Sequence, residues 1–126
     1  MSLDIYLEGI EEFITDCTCD CCGNEHKRYS FPEHERLNIT HNLTEMADAC
    51  KLYYCVWRPE ECNIKTAKQM IAPLREGLIL LHENPKIFKK FEPENGWGTY
   101  EGFVKFIEKY LQACITYPQA KIRVSR

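Results

Sequence analysis

What the chain lacks narrows it first. No run of apolar residues is long enough to span a bilayer, and the opening Met1-Ser2-Leu3-Asp4-Ile5-Tyr6-Leu7 has neither the basic start nor the apolar core of a signal peptide. A cytoplasmic protein with no membrane partner is the expectation. A basic excess is also missing. Sixteen Lys and Arg stand against 19 Asp and Glu, a net charge of −3, which argues against general nucleic-acid binding. Repeats, linkers and low-complexity tracts are absent, and so are glycine-rich phosphate loops, a nucleophile elbow and a His-x-x-x-His metal pattern. At 126 residues the chain fits one domain, 1–126, large enough to bury a core without disulfides.

Cysteine, by contrast, is plentiful at eight residues. Without a signal peptide, metal binding or buried free thiols explain them better than disulfides. Cys50, Cys55, Cys62 and Cys114 fall in or beside apolar patterns, as small core residues do. Cys17, Cys19, Cys21 and Cys22 cluster. Cys19-x-x-Cys22-Gly23 has the spacing of a zinc knuckle, with Cys17, Cys21 and His26 the nearest residues to complete a tetrahedral set and Cys17 and His26 the preferred pair. His34 or Cys62 could serve if the fold brings them in. No second Cys-x-x-Cys follows, so a turn of free thiols is the competing explanation, and no cofactor is required.

The hydropathy pattern changes period along the chain. Leu3, Ile5 and Leu7 alternate with Asp4, Tyr6 and Glu8 as in a half-buried strand. A hairpin follows, with strands near 11–18 and 26–31 and the cysteines at its tip. Asn42-Leu43-Thr44-Glu45 has the form of a capped helix start, and Leu43, Met46, Ala47, Cys50 and Tyr54 continue it at helical spacing. Pro59 breaks it. Thr66-Ala67-Lys68-Gln69 repeats the capping pattern ahead of a stripe from Ala67 to Leu81, which Pro73 should kink or restart. Ile87, Phe88 and Phe91 suggest a short helical turn. Thr99 caps the strongest amphipathic helix, Tyr100 to Tyr117, and 121–126 alternates as a closing strand able to pair with the first. The expected class is α+β: a small, mainly antiparallel sheet from both termini and a hairpin, covered by about three helices.

Three junctions carry more polar and aromatic hardware than their turns require. Asn38-Ile39-Thr40-His41-Asn42 offers two amides, a hydroxyl and an imidazole at a helix start, although capping alone explains part of it. Trp57-Arg58 places a guanidinium beside an indole, a pairing suited to phosphate or carboxylate. A salt bridge from Arg58 to Glu60, Glu61 or Glu101, with Trp57 in the core, is equally in keeping. Asn95-Gly96-Trp97-Gly98-Thr99-Tyr100 could stack a planar ring on Trp97 and Tyr100 while Asn95 reads its edge, or could simply plug the core with Trp97. The candidate ligand-binding residues are therefore Asn38, Thr40, His41, Trp57, Arg58, Asn95, Trp97 and Tyr100. No catalytic set stands out, and an acid–base role for His41 with a glutamate is the weakest alternative.

At Asn38-Ile-Thr-His-Asn-Leu43, Trp57-Arg-Pro-Glu-Glu61 and Asn95-Gly-Trp-Gly-Thr-Tyr-Glu101, the chain resembles a family of small proteins common in bacteriophage and prophage genomes. The likeness extends to both ends and is least in the cysteine region; relatives more often carry Ala-Gly where this chain has Ala49-Cys50. The resemblance implies a protein working in the cytoplasm of an infected or lysogenic bacterium. It also implies a binding role, such as sequestering a nucleotide-type host-defence signal or otherwise antagonising defence. The alternative is a structural or protein–protein interaction module, or a homo-oligomer, in which the same motifs are internal braces.

Overall fold

The computed structural model describes residues 2–9, 13–18, 25–30, 33–96 and 98–126, with the backbone alone described at 13–18, 25–30 and 33–34. The strand β1 (Ser2–Glu8) is central to a three-stranded antiparallel sheet, flanked by β4 (Glu33–Thr40) and β5 (Lys121–Ser125). Alternation decides which face is buried. Leu3, Ile5 and Leu7 of β1 and Leu37 and Ile39 of β4 point into the core, while Asp4, Tyr6 and Glu8 line the outer face. Register confirms the closing strand, with Ile5 opposite both Leu37 and Val124. Between β1 and β4 the chain makes the expected hairpin, β2 (Phe13–Thr18) and β3 (Glu25–Ser30), which pair with each other as a separate two-stranded sheet.

Two long helices cover the sheet, α3 (Ala67–Glu83) and α5 (Tyr100–Thr116), packed on each other, with α5 also against β4. Met70, Leu74 and Leu81 of α3 meet Phe103, Ile107, Tyr110 and Cys114 of α5 in one apolar cluster with the strand residues. The Tyr110 hydroxyl is buried there without a hydrogen-bond partner among the described residues. Three short helices complete the set: α1 (Thr44–Ala49), α2 (Tyr53–Trp57) and α4 (Pro85–Lys89). No helix among the described residues is long and apolar enough to cross a membrane.

Three local expectations need correction. The segment after the hairpin is a strand up to Thr40, which alternation of Leu37 and Ile39 could have revealed. Thr40, not Asn42, is the capping residue: its hydroxyl accepts the Asn42 N–H at 3.3 Å and opens a short 3-10 turn, His41–Leu43. The first helix does not run on to Tyr54. Lys51 adopts φ 65°, which ends α1 and resets the helical phase, so Tyr54 is 56% exposed rather than in the core. Of the two outcomes expected at Pro73, a restart is not seen: the proline sits inside one continuous α3. The second capping pattern holds at Thr66, where the Gln69 side chain accepts the N–H groups of Lys65 and Thr66.

Candidate functional site

The three junction motifs meet at one turn. Thr40 ends β4 and begins the turn His41–Leu43, and Leu43 is buried beneath it. From α2, Trp57 inserts into the core at 2% exposure, and its indole Nε1 donates to His41 Nδ1 at 2.9 Å. A neutral imidazole accepting at Nδ1 carries its proton on Nε2, so this contact also selects the tautomer. From the other side comes the glycine loop. Gly98 has φ 121°, and a Cβ there would lie 2.9 Å from Leu43 Cγ and 3.1 Å from Thr40 Cγ2. Both conformation and space exclude a side chain, which explains the glycine. Gly96 also has positive φ, 75°, but open space around it.

Beyond this turn the candidate residues separate. Asn38 lies on the outer face of the sheet, donating to Ser2 Oγ at 3.0 Å and Asp4 Oδ1 at 2.8 Å, and so ties β4 to β1. The half-exposed Arg58 donates from Nε to the Tyr53 hydroxyl at 3.3 Å and lies 3.7 Å from Glu61 Oε2. The tyrosine bond first, and then Glu61, push the guanidinium further above its already high value. Tyr53 in turn stacks on Trp57, ring centres 5.9 Å apart. Asn95 is exposed in the loop, and Trp97 lies outside the described residues.

Tyr100 is spent internally. Its ring is buried, and its hydroxyl donates to the Leu81 carbonyl at 2.6 Å, clamping α5 to α3. The start of α5 is satisfied as well. Thr99 Oγ accepts the Gly102 N–H at 3.0 Å, and Glu101 brings a carboxylate to the same turn. That carboxyl is held below its ordinary range by its own backbone N–H first and by Lys89 next, 3.5 Å away. The helix terminus already has an acid of its own in place.

Among the described residues no group of three or more His, Cys, Asp or Glu could hold a metal ion. Cys19 and Cys22 lie outside the described residues, and at Cys17 and His26 only the backbone is described, where they are direct cross-strand partners. The remaining cysteines divide. Cys50, Cys55 and Cys114 are buried, and burial pushes their thiols up to about 11, 12 and 12; Cys62 is exposed.

A second region was not anticipated. A cleft of about 820 Å³ opens between β5 and the segment 59–66, with Ile64, Ile122 and Val124 as its apolar lining and Lys65, Lys121, Arg123 and Arg126 among its polar residues. It touches the junction through Arg126, whose Nη1 donates to the Trp57 carbonyl at 2.8 Å and to Glu60 Oε1 at 2.5 Å. Its sequence signal was the alternation of cations and aliphatics in Lys121-Ile122-Arg123-Val124. Comparison of the chain with protein-family models, with curated proteins and with solved structures finds no match.

Proposed function

We propose that the protein is a small binding module whose ligand sits where 38–43, 57–61 and 95–101 come together, and that this ligand is polar, phosphate-bearing and nucleotide-like. One observation supports it above the rest. Three segments distant in sequence converge on Thr40–Leu43 through the Trp57–His41 hydrogen bond and the close approach of Gly98. In that arrangement His41 offers an Nε2 donor, Arg58 a permanent cation next to Trp57, and the glycine loop an amide at Asn95. Those groups suit an anion joined to a planar base. With the resemblance to phage proteins, the job of such a module is to sequester a nucleotide-type defence signal of the bacterial host. Calorimetry and thermal shift against cyclic dinucleotides, cyclic oligonucleotides and ADP-ribose derivatives test this. At least one should bind, and Arg58→Ala or Trp97→Ala should abolish both binding and phage protection. Silence across the panel, with protection unchanged in both variants, removes the reading.

A second reading rests on a different observation: Trp57 is buried and the Tyr100 hydroxyl is consumed by Leu81. These are the marks of internal braces, in a module that works through a protein partner or a second copy. A structural zinc ion at the hairpin is a separate proposal, supported by the register that sets Cys17 opposite His26, the closest neighbours two strands provide. Elemental analysis of the purified protein should then find about one zinc per chain; none after purification without chelator counts against it.

A further inference from the structure

We propose that the open edge of β5, with the cleft beside it, binds an extended acidic peptide segment of a partner protein by strand addition. This site is distinct from the junction of the three motifs and does not depend on the ligand proposed there.

The backbone carries the first half of the argument. On its outer side β5 is covered only where it begins. Thr66 bridges to Lys121, the Ile122 N–H donates to the Lys65 carbonyl at 3.0 Å, and the Ala67 N–H donates to the Ala120 carbonyl at 2.9 Å. Main-chain groups alternate sides along a strand, so Val124 directs its N–H and C=O to the same side as Ile122. There the covering chain has turned away, because Asn63 takes a left-handed conformation, φ 57°, at the end of the 3-10 turn Pro59–Cys62. Among the described residues the outward groups of Val124 meet no partner. An unpaired strand edge is a ready template for another strand.

The side chains carry the second half. Ile122 and Val124 are half-buried and, with Ile64 and Pro59, give the cleft an apolar floor on which alternate residues of an added strand can rest. Its lining has four cationic side chains, Lys65, Lys121, Arg123 and Arg126, and one carboxylate, Glu60. Arg126 is paired with Glu60, and Arg123 with Glu8 at 2.7 Å; counted by residue, the lining holds four cations to one carboxylate in a chain whose net charge is −3. The complementary occupant is an extended segment alternating aliphatic and acidic residues.

The test uses the full-length protein and a fluorescein-labelled peptide of about eight residues alternating Glu and Val, with a Lys/Val control and an N-methylated Glu/Val version. Polarisation should show the acidic peptide binding about tenfold more tightly than the basic one, with the preference shrinking as salt is added. Lys65→Glu should weaken binding about fivefold. Saturating peptide should slow exchange of the Val124 amide proton about tenfold, which separates strand addition from charge attraction alone. The proposal is overturned if the N-methylated peptide binds equally well, or if Val124 exchange does not change. It is also overturned if inorganic pyrophosphate displaces the peptide at equal concentration, which marks the cleft as a small-anion site. Should Lys65→Glu fail to fold, the N-methylated peptide and Val124 exchange on the unaltered protein still decide.

Discussion

The turn at Thr40–Leu43 and the edge of β5 are opposites. The first is closed: an indole N–H has its acceptor, a glycine lies against Leu43 and Thr40, and the neighbouring tyrosine hydroxyl bonds a helix carbonyl. The second is open, with the outward main-chain groups of Val124 meeting no partner among the described residues and a cleft beside them. The residues most conspicuous in the sequence built the closed region, whereas an ordinary six-residue tail built the open one. Tryptophan, glycine and histidine are rare enough to draw attention, and each is costly to replace in a packed junction. A binding edge needs only unpaired backbone and cations, which look common.

The packed interior, of which the closed region is one part, should be more fragile than the open edge, and the largest test of that is alkaline pH. Cys50, Cys55 and Cys114 have thiols raised from 9.0 to about 11, 12 and 12 by burial. Above pH 9.0 the unfolded chain loses these protons while the folded chain keeps them, so stability should fall as pH rises from 9.0 towards 11–12 and be insensitive to these thiols below 9.0. The loss is on the order of 2 kcal/mol per thiol, measured by urea unfolding across that range. Cys62, exposed in the segment that borders the cleft, should instead be alkylated in the native state by a small thiol reagent.

Next in size are the two loop glycines. Gly98→Ala puts a methyl into Leu43 and Thr40 at positive φ and should cost about 3 kcal/mol, whereas Gly96→Ala meets only the backbone penalty, about 1 kcal/mol. Equal losses in urea melts would mean that the loop does not rest on the turn. His41→Leu should cost about 2 kcal/mol by leaving the buried Trp57 N–H unpaired, and His41→Gln, which can still accept, should recover about half. The smallest effect is expected where the two regions touch. Arg126→Ala removes the bonds to Trp57 and Glu60 and should cost about 1 kcal/mol, with no change in native-state labelling of Cys62.

Much of the frame was legible before the structure. The strands at each end alternate cleanly, Thr99 announces α5, and Thr66 with Gln69 announces α3, because period and capping are local properties. The misplaced start at Asn42 came from two residues able to cap, Thr40 and Asn42, two positions apart; which one does depends on where β4 stops pairing with β1. Tyr54 was misassigned because a single left-handed residue, Lys51, shifted the phase of everything after it, and no neighbouring glycine or proline marked the place.

The candidate site was legible in its parts and not in its assembly. Residue types at Thr40–His41, Trp57–Arg58 and Asn95–Tyr100 were visible as unusual, but their spacing says nothing about whether they meet. Tyr100 shows the gap: a surface stacking residue and a helix clamp have the same sequence signature, and only the Leu81 carbonyl 2.6 Å away separates them.

By itself, then, the sequence determined the α+β class, the long helices and the terminal strands, since each follows from hydrophobic period over consecutive residues. Tertiary structure alone decided that the three motifs share one turn, that Trp57 is buried against His41, and that among the described residues nothing pairs with the outward groups of Val124 in β5. Those facts depend on which distant surfaces approach one another, and residue order does not encode approach distance locally.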